Sequence, residues 1–395
     1  MTLVFFFPKP IRASRRELFQ LDRLEKEGYK IIILDATKFY DKGNKFPQSE
    51  IYHNTVNCAT KEDFIDFGKT LPNEPVLFIT SDLYVNNASS IFKLLIRKND
   101  KLLAYKTKAF YNGNFSENKT RLLLEKIIRG LDKYFALNFF SFYYKGKYGI
   151  IIPDYYLFST KYIIPVKIYL TVKKQNRIVV HSDDYNLILN PEPSIIDSNK
   201  KIGVFVDQAI PFAIQTHPLI YKKEDLPEGY LENYYRNVEK SLLYLKGKLE
   251  LDEIVIALHP NSSSFKKELS GKFSAFRTFA GKTTELIRDA SIIFTHNSTA
   301  LGYAVIFEKP VIIFKDEFVM GEKIKKGTCF FLNDLDMLGF YIDREFEEIN
   351  YKDVKINKSR YSEYTQNFIK DNDIQENSYY YAIKKITNDL IKRES

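Results

Sequence analysis

Two α/β domains in tandem, each built on a parallel sheet, are what this sequence predicts. Short continuous apolar, β-branched runs recur at 2–7, 31–34, 76–80, 202–206, 254–258, 292–295 and 311–314. A strand buried on both faces reads this way, whereas a half-exposed strand would alternate polar and apolar residues. Segments with helical spacing lie between the runs, as a parallel sheet with helical crossovers requires. At 395 residues the chain is also too long for one ordinary core. A polar, proline-bearing stretch at 191–201, without periodicity, divides it into a domain at 1–190 and a second at 202–340. Residues 341–395 are charged and predict helices.

The first strand, 2–7, stops at Pro8-Lys9-Pro10. Leu18, Leu21 and Leu24 then mark one helix over 13–28, which Gly28 ends before a strand resumes at 31–34. The run at 76–80 is followed by a helix near 88–97 and a strand at 102–105. Leu122, Leu123, Ile127 and Leu131 place an amphipathic helix over 119–135. Aromatic and β-branched residues crowd 138–180, with runs at 139–144, 148–152, 162–169 and 177–180, and predict further strands, some antiparallel. In the second half, 202–206 is a strand ending in Asp207-Gln208, 230–245 a helix and 254–258 the next strand.

Composition narrows the class. The charge of +9 favours an anionic partner: a phosphate-bearing substrate, nucleic acid or the inner leaflet of a membrane; it also suits a basic surface with no such partner. Cys58 and Cys329 stand far apart with no metal-ligand spacing, which reads as a reduced, cytoplasmic protein. The opening MTLVFFFPKP has no basic leader, and no run of about 18 apolar residues is present to span a bilayer. No Gly-x-Gly-x-x-Gly, Walker or nucleophile-elbow pattern occurs. No Asp-x-Asp triplet sits in a strand-end loop where a metal–diphosphate would need one.

The polar residues that follow the strands carry the chemistry. His259-Pro260 stands at one strand end, where an imidazole can meet a phosphate or leaving group and proline stiffens the backbone. A strand-end histidine can equally be a plain surface residue. Ser298-Thr299 stands after the run at 292–295, in the N-cap position of a helix over 300–307. Its hydroxyls and free amides suit an anion, although Ser298 would cap that helix in any case. Gly281-Lys282-Thr283-Thr284-Glu285 is another helix start, with Thr283 or Thr284 as cap; Glu285 either complements the dipole or accepts from a ribose. Asp183-Asp184 ends the last strand before the 191–201 segment. On an extended chain the two carboxylates point to opposite sides, so one of them could serve as a general base. An acidic turn is the alternative, and Asp207-Gln208 has the same ambiguity.

The order strand, Asp-Asp, linker, Phe-Val-Asp-Gln, His-Pro, Gly-x-Thr-x-Glu-Leu, His-x-Ser-Thr, Lys-Pro-Val-Ile resembles bacterial capsule and lipopolysaccharide glycosyltransferases of the GT-B fold. It is most similar to those using CMP-activated sugars: polysialyltransferase, lipooligosaccharide sialyltransferase and Kdo transferase relatives. Their acidic motif ends in glycine, where this chain has Tyr185. The resemblance implies two Rossmann-like domains facing a central cleft, with C-terminal helices bracing the first, acceptor-binding domain. It implies inverting, metal-independent transfer of an acidic sugar, sialic acid before Kdo, from a CMP-sugar to a surface-glycan hydroxyl. Asp184 or Asp183 would be the base, with His259 also stabilising the leaving group. His259, Pro260, Gly281, Thr284, Glu285, Ser298 and Thr299 would surround the nucleotide. The implied partners are a nucleotide-sugar donor and a glycan acceptor, with no cofactor and no nucleic acid. The implied place is the cytoplasm, with the inner membrane surface within reach. A CDP-glycerol-type polyol-phosphate transferase fits the same motifs. A non-catalytic nucleotide-binding assembly protein of a capsule complex is the reading of another class.

Overall fold

The computed structural model describes residues 1–11, 13–41, 52–81, 88–107, 151–159, 166–189, 192–197, 199–211, 228–259, 262, 269–316, 322–343, 350–351 and 354–394. They fall into two compact units. The first takes Met1–Ala109, Phe115–Leu189 and Asn367–Ser395, and the second Phe110–Asn114 and Asn190–Gln366.

In the first unit the described strands are β1 (Thr2–Phe7), β2 (Lys30–Asp35), β3 (Thr55–Asn57), β4 (Val76–Ser81), β5 (Lys101–Lys106), β6 (Tyr155–Phe158) and β7 (Arg177–Val179). They form one sheet in the order β3-β2-β1-β4-β5-β6-β7. Every pairing is parallel, so the antiparallel strands expected between 138 and 180 are not found among the described residues. The continuous apolar character of β1 has a direct cause. Leu3, Phe5 and Phe7 enter one buried cluster and Val4 and Phe6 the other, because successive side chains leave opposite faces and both faces are covered.

Two local expectations change. The helix over 13–28 is two short helices, Ala13–Leu18 and Leu21–Lys26, separated where Gln20 takes a left-handed φ of 52° and Phe19 turns fully into the core. The run at 162–169 is not a strand where it is described: Val166–Thr171 is helical, and the strand lies earlier, at β6. The helix expected over 119–135 and the runs at 139–144 and before 151 lie outside the described residues.

The chain returns to the first unit at its end. Tyr379, Ile383, Ile386 and Leu390 of the Ser378–Glu394 helix recur at helical spacing and join the cluster built on Leu3, Phe5, Leu21 and Leu24. The second unit keeps the chain as far as Gln366, including the Lys358–Tyr364 helix. No helix among the described residues is long and apolar enough to cross a membrane.

The second unit's strands are β8 (Ile202–Val206), β9 (Glu253–Leu258), β10 (Arg277–Ala280), β11 (Ile292–Thr295), β12 (Val311–Lys315) and β13 (Leu338–Tyr341). All pair in parallel in the order β10-β9-β8-β11-β12-β13. This is the doubly wound arrangement: the chain adds strands outward from β8 on one side, then restarts at β11 and builds outward on the other. Where the direction reverses, between β8 and β11, the crossovers leave a crevice at the carboxyl ends of the strands.

Candidate functional site at the carboxyl edge of the second sheet

Three of the polar strand ends meet at that reversal. Asp207 follows β8 and has β9, with His259, on one side and β11, with His296 to Thr299, on the other. The register fixes this closely, since Val206 pairs with both Ala257 and Thr295.

Asp207 is 2% exposed. Its Oδ1 accepts the Ala209 N–H at 2.9 Å, closing a turn in which Ala209 has a left-handed φ of 48°. Its Oδ2 has no hydrogen-bond partner. Burial pushes the carboxyl up to about 6, opposed in part by the amides of Ala209, His259 and Gln208, which lean toward it and favour its charged form.

His296, although part of the same edge, is committed to the core. Its Nδ1 lies 2.7 Å from the Phe314 carbonyl, which can only accept, so Nδ1 carries the proton; Nε2 therefore accepts the Tyr234 hydroxyl at 2.8 Å. Burial lowers its pKa to about 4 and keeps the ring neutral. Tyr234 belongs to the Tyr230–Lys248 helix, whose Tyr230 donates to Asp316 at the end of β12 at 2.9 Å, while Tyr235 is another buried ring of the same helix. That tyrosine face, at 230, 234 and 235, looks in the sequence like ordinary aromatic core; only the sheet order shows that it underlies the strand ends.

His259 is half-buried at the end of β9, and its carbonyl accepts the Ser262 N–H at 2.8 Å. Pro260 lies outside the described residues. Ser298 is buried and its Oγ accepts the Ala300 N–H at 3.1 Å, while Thr299 is exposed. The helix that follows is Leu301–Ile306, with Ala300 at its cap position. Ser298 therefore closes the turn ahead of the helix and is not its N-cap.

The Gly281–Glu285 start also differs from expectation. Gly281 takes a φ of +70° with open space where a Cβ would stand. The cap of the Thr283–Asp289 helix is Lys282, without a side-chain hydrogen bond, so neither Thr283 nor Thr284 caps it. Glu285 is buried and accepts from Lys282 Nζ at 3.2 Å, and Lys282 also pairs with Glu192. The Glu285 carboxylate is thus engaged by its own first turn. The preceding β10 escaped the sequence reading altogether, because Arg277, Thr278 and Ala280 are exposed on a four-residue edge strand.

Asp183 and Asp184 lie in the first unit, and not on a strand. Ser182 accepts the Tyr185 N–H at 3.2 Å and caps a helix, Asp183–Ile188, so both acids occupy its first turn, where the dipole favours them. Asp183 Oδ1 accepts the hydroxyls of Thr107 at 2.6 Å and Tyr379 at 2.7 Å, and Arg15 Nη1 stands 3.5 Å from Oδ2. Its carboxylate is spent on holding the fold. Asp184 is half-exposed. The surrounding stretch fastens the C-terminal helix: Ser378 Oγ accepts the His181 N–H at 2.9 Å, and Asn186 Oδ1 accepts the Ser378 N–H at 2.8 Å. His181 Nδ1 accepts the Asp371 N–H at 3.0 Å, and burial lowers its pKa to about 4.

Among the described residues, no three His, Cys, Asp or Glu side chains converge as ligands of a metal would. No family model matches the chain, and no curated protein matches its sequence. Similar solved structures do exist. The wall teichoic acid polymerase TagF is 11% identical with a TM-score of 0.55, the match covering 100% of this chain and 90% of that one. A UDP-N-acetylglucosamine 2-epimerase is 9% identical with a TM-score of 0.52, covering 100% of this chain and 98% of that one. Together with the two doubly wound parallel sheets, this likeness shows that the chain has the GT-B fold of glycosyltransferases and nucleotide-sugar epimerases.

Proposed function

We propose that the protein is a glycosyltransferase that binds the phosphate of a nucleotide-sugar donor at the carboxyl edge of its second sheet. The observation that carries this reading is the sheet order, which brings Asp207, His259 and the Ser298 turn together where open α/β sheets take ligands. His259 and Thr299 supply donors to the phosphate oxygens, and Ser298 shapes the turn that presents its neighbours' amides. A single phosphate needs fewer counter-charges than a diphosphate, so an imidazole, hydroxyls and amides suffice without a metal.

The donor we propose is a CMP-linked acidic sugar, sialic acid before Kdo, transferred with inversion to a surface-glycan hydroxyl. This rests on the motif order of the sequence. Asp184 is the proposed base: the acceptor hydroxyl passes its proton to the carboxylate as its oxygen attacks, and the CMP phosphate leaves toward His259. CDP-glycerol is the alternative donor for the same edge, and its diphosphate would bring a second phosphate charge to these contacts. The UDP-sugar named in the similar epimerase makes UDP a third candidate nucleotide. Hydrolysis of CMP-sialic acid, CMP-Kdo, CDP-glycerol and UDP-N-acetylglucosamine, measured with and without EDTA, tests the reading. Release of CMP from CMP-sialic acid or CMP-Kdo that survives EDTA is expected. Release only from the UDP-sugar, or none in EDTA, would sink the donor or the metal-free step respectively.

A further inference from the structure

A carboxyl group that is nine-tenths buried keeps its charge at low cost only when its oxygens are hydrogen-bonded or paired with a cation. Asp207 meets this on one side alone: Oδ1 has the Ala209 amide, while the His259 and Gln208 amides lean toward the carboxyl without closing a hydrogen bond to Oδ2. Among the described residues, the titratable groups on the elements around it are Tyr234 and Tyr235 from the Tyr230–Lys248 helix, His259 at the end of β9, His296 at the end of β11, and Asp316 at the end of β12. None of them is a fixed positive charge. His296 is neutral with both ring nitrogens engaged, and Asp316 accepts from Tyr230. Among these described groups only neutral donors would face the combined charge of an ionised Asp207 and a ligand.

An anion arriving at this reversal point therefore meets a carboxylate at short range, and repulsion would oppose it. Protonation removes the repulsion and turns the orphan oxygen into a donor. We propose that Asp207 is a positioning residue that takes up a proton when the anionic donor binds, its Oδ2–H then donating to a non-bridging phosphate oxygen. The proton comes from solvent, and no bond of the donor is made or broken in this step. The inference rests on the donor-site reading given above. Burial, which already holds the free carboxyl at about 6, makes the proton available near neutral pH.

The test is titration calorimetry of the full chain with CMP-sialic acid, CDP-glycerol and UDP-N-acetylglucosamine, whose esterified phosphates have no group titrating near pH 6. Each titration is run at one pH in two buffers of different ionisation enthalpy. For the donor that binds, uptake of up to about one proton is expected, with affinity falling by as much as roughly tenfold per pH unit above 7. Asp207→Asn keeps the Ala209 acceptor and a neutral donor, so it should bind with no uptake and a flat pH profile. Binding by the wild type without proton uptake overturns the inference and leaves the donor site standing, as does uptake that persists in Asp207→Asn. Absence of binding by all three donors overturns the donor-site reading and this inference with it. The wild-type measurement decides the matter even if the variant does not fold.

Discussion

At the scale of single residues, the adjacent acids Asp183 and Asp184 separate by environment. Asp183 is held by two hydroxyls and Arg15, whereas Asp184 keeps partial exposure on the next position of the helix. Removing the Asp183 carboxylate takes the acceptor from the buried Thr107 and Tyr379 hydroxyls and the counter-charge from half-buried Arg15, so Asp183→Ala should cost about 2 kcal/mol in urea unfolding. Asp184→Asn should leave the unfolding midpoint in place and lower transfer roughly 100-fold or more, as loss of a general base does. If Asp184→Asn transferred at the wild-type rate, the base would have to be sought elsewhere. The sequence alone could not divide these roles, because the partners of Asp183 come from residues 15, 107 and 379. Such long-range convergence leaves no local pattern. The strand-end position of Asp207 was legible; its burial and half-satisfied carboxyl were not, since they depend on which strands flank β8.

Element by element, the buried parallel strands were the most legible part of the chain. β1, β8, β11 and β12 are covered on both faces, and their apolar runs carry that signal directly. Edge strands hid for the opposite reason: β10 is exposed, and β13 is four residues with partial burial. Asp183-Asp184 read as a strand end because β7 stops only four residues earlier, and Ser182 then starts a helix without an intervening loop. Within β8, Gly203 is a close-approach position. A Cβ there would meet Phe294 at 2.7 Å and Leu251 at 2.9 Å, both packed in the core of the second unit. Gly203→Ala should therefore destabilise by about 1–3 kcal/mol through overpacking beside the β8–β11 reversal. A urea midpoint equal to the wild type would show that this core gives way more easily than the packing implies.

For the whole molecule, buried histidines and one buried acid set how stability responds to pH. His181 in the first unit has its pKa lowered from 6.5 to about 4, so its contribution is present above 6.5 and is lost as pH falls toward 4. By pH 5 that loss is about 2 kcal/mol. His296 in the second unit carries the same sign, but Asp207, raised from 3.8 to about 6, carries the opposite one: its stability is full below 3.8 and lost as pH rises through 6. Those two should offset one another to within about 1 kcal/mol between pH 7 and 5. Hydrogen exchange, corrected for intrinsic rates, should therefore show β1 and β4 losing protection on acidification while β8 and β11 hold. His181→Asn, whose Oδ1 can replace Nδ1 as acceptor for Asp371, should remove the difference; equal losses in both units would contradict the assignment. The proposed chemistry depends most on the donor site. The measurement that addresses it most directly is calorimetric binding of CMP-sialic acid to the wild type and to His259→Ala. Binding by the wild type, weakened at least roughly tenfold in His259→Ala, about 1.4 kcal/mol, is the predicted result. Equal affinity in the two proteins, or no binding by the wild type, would contradict it.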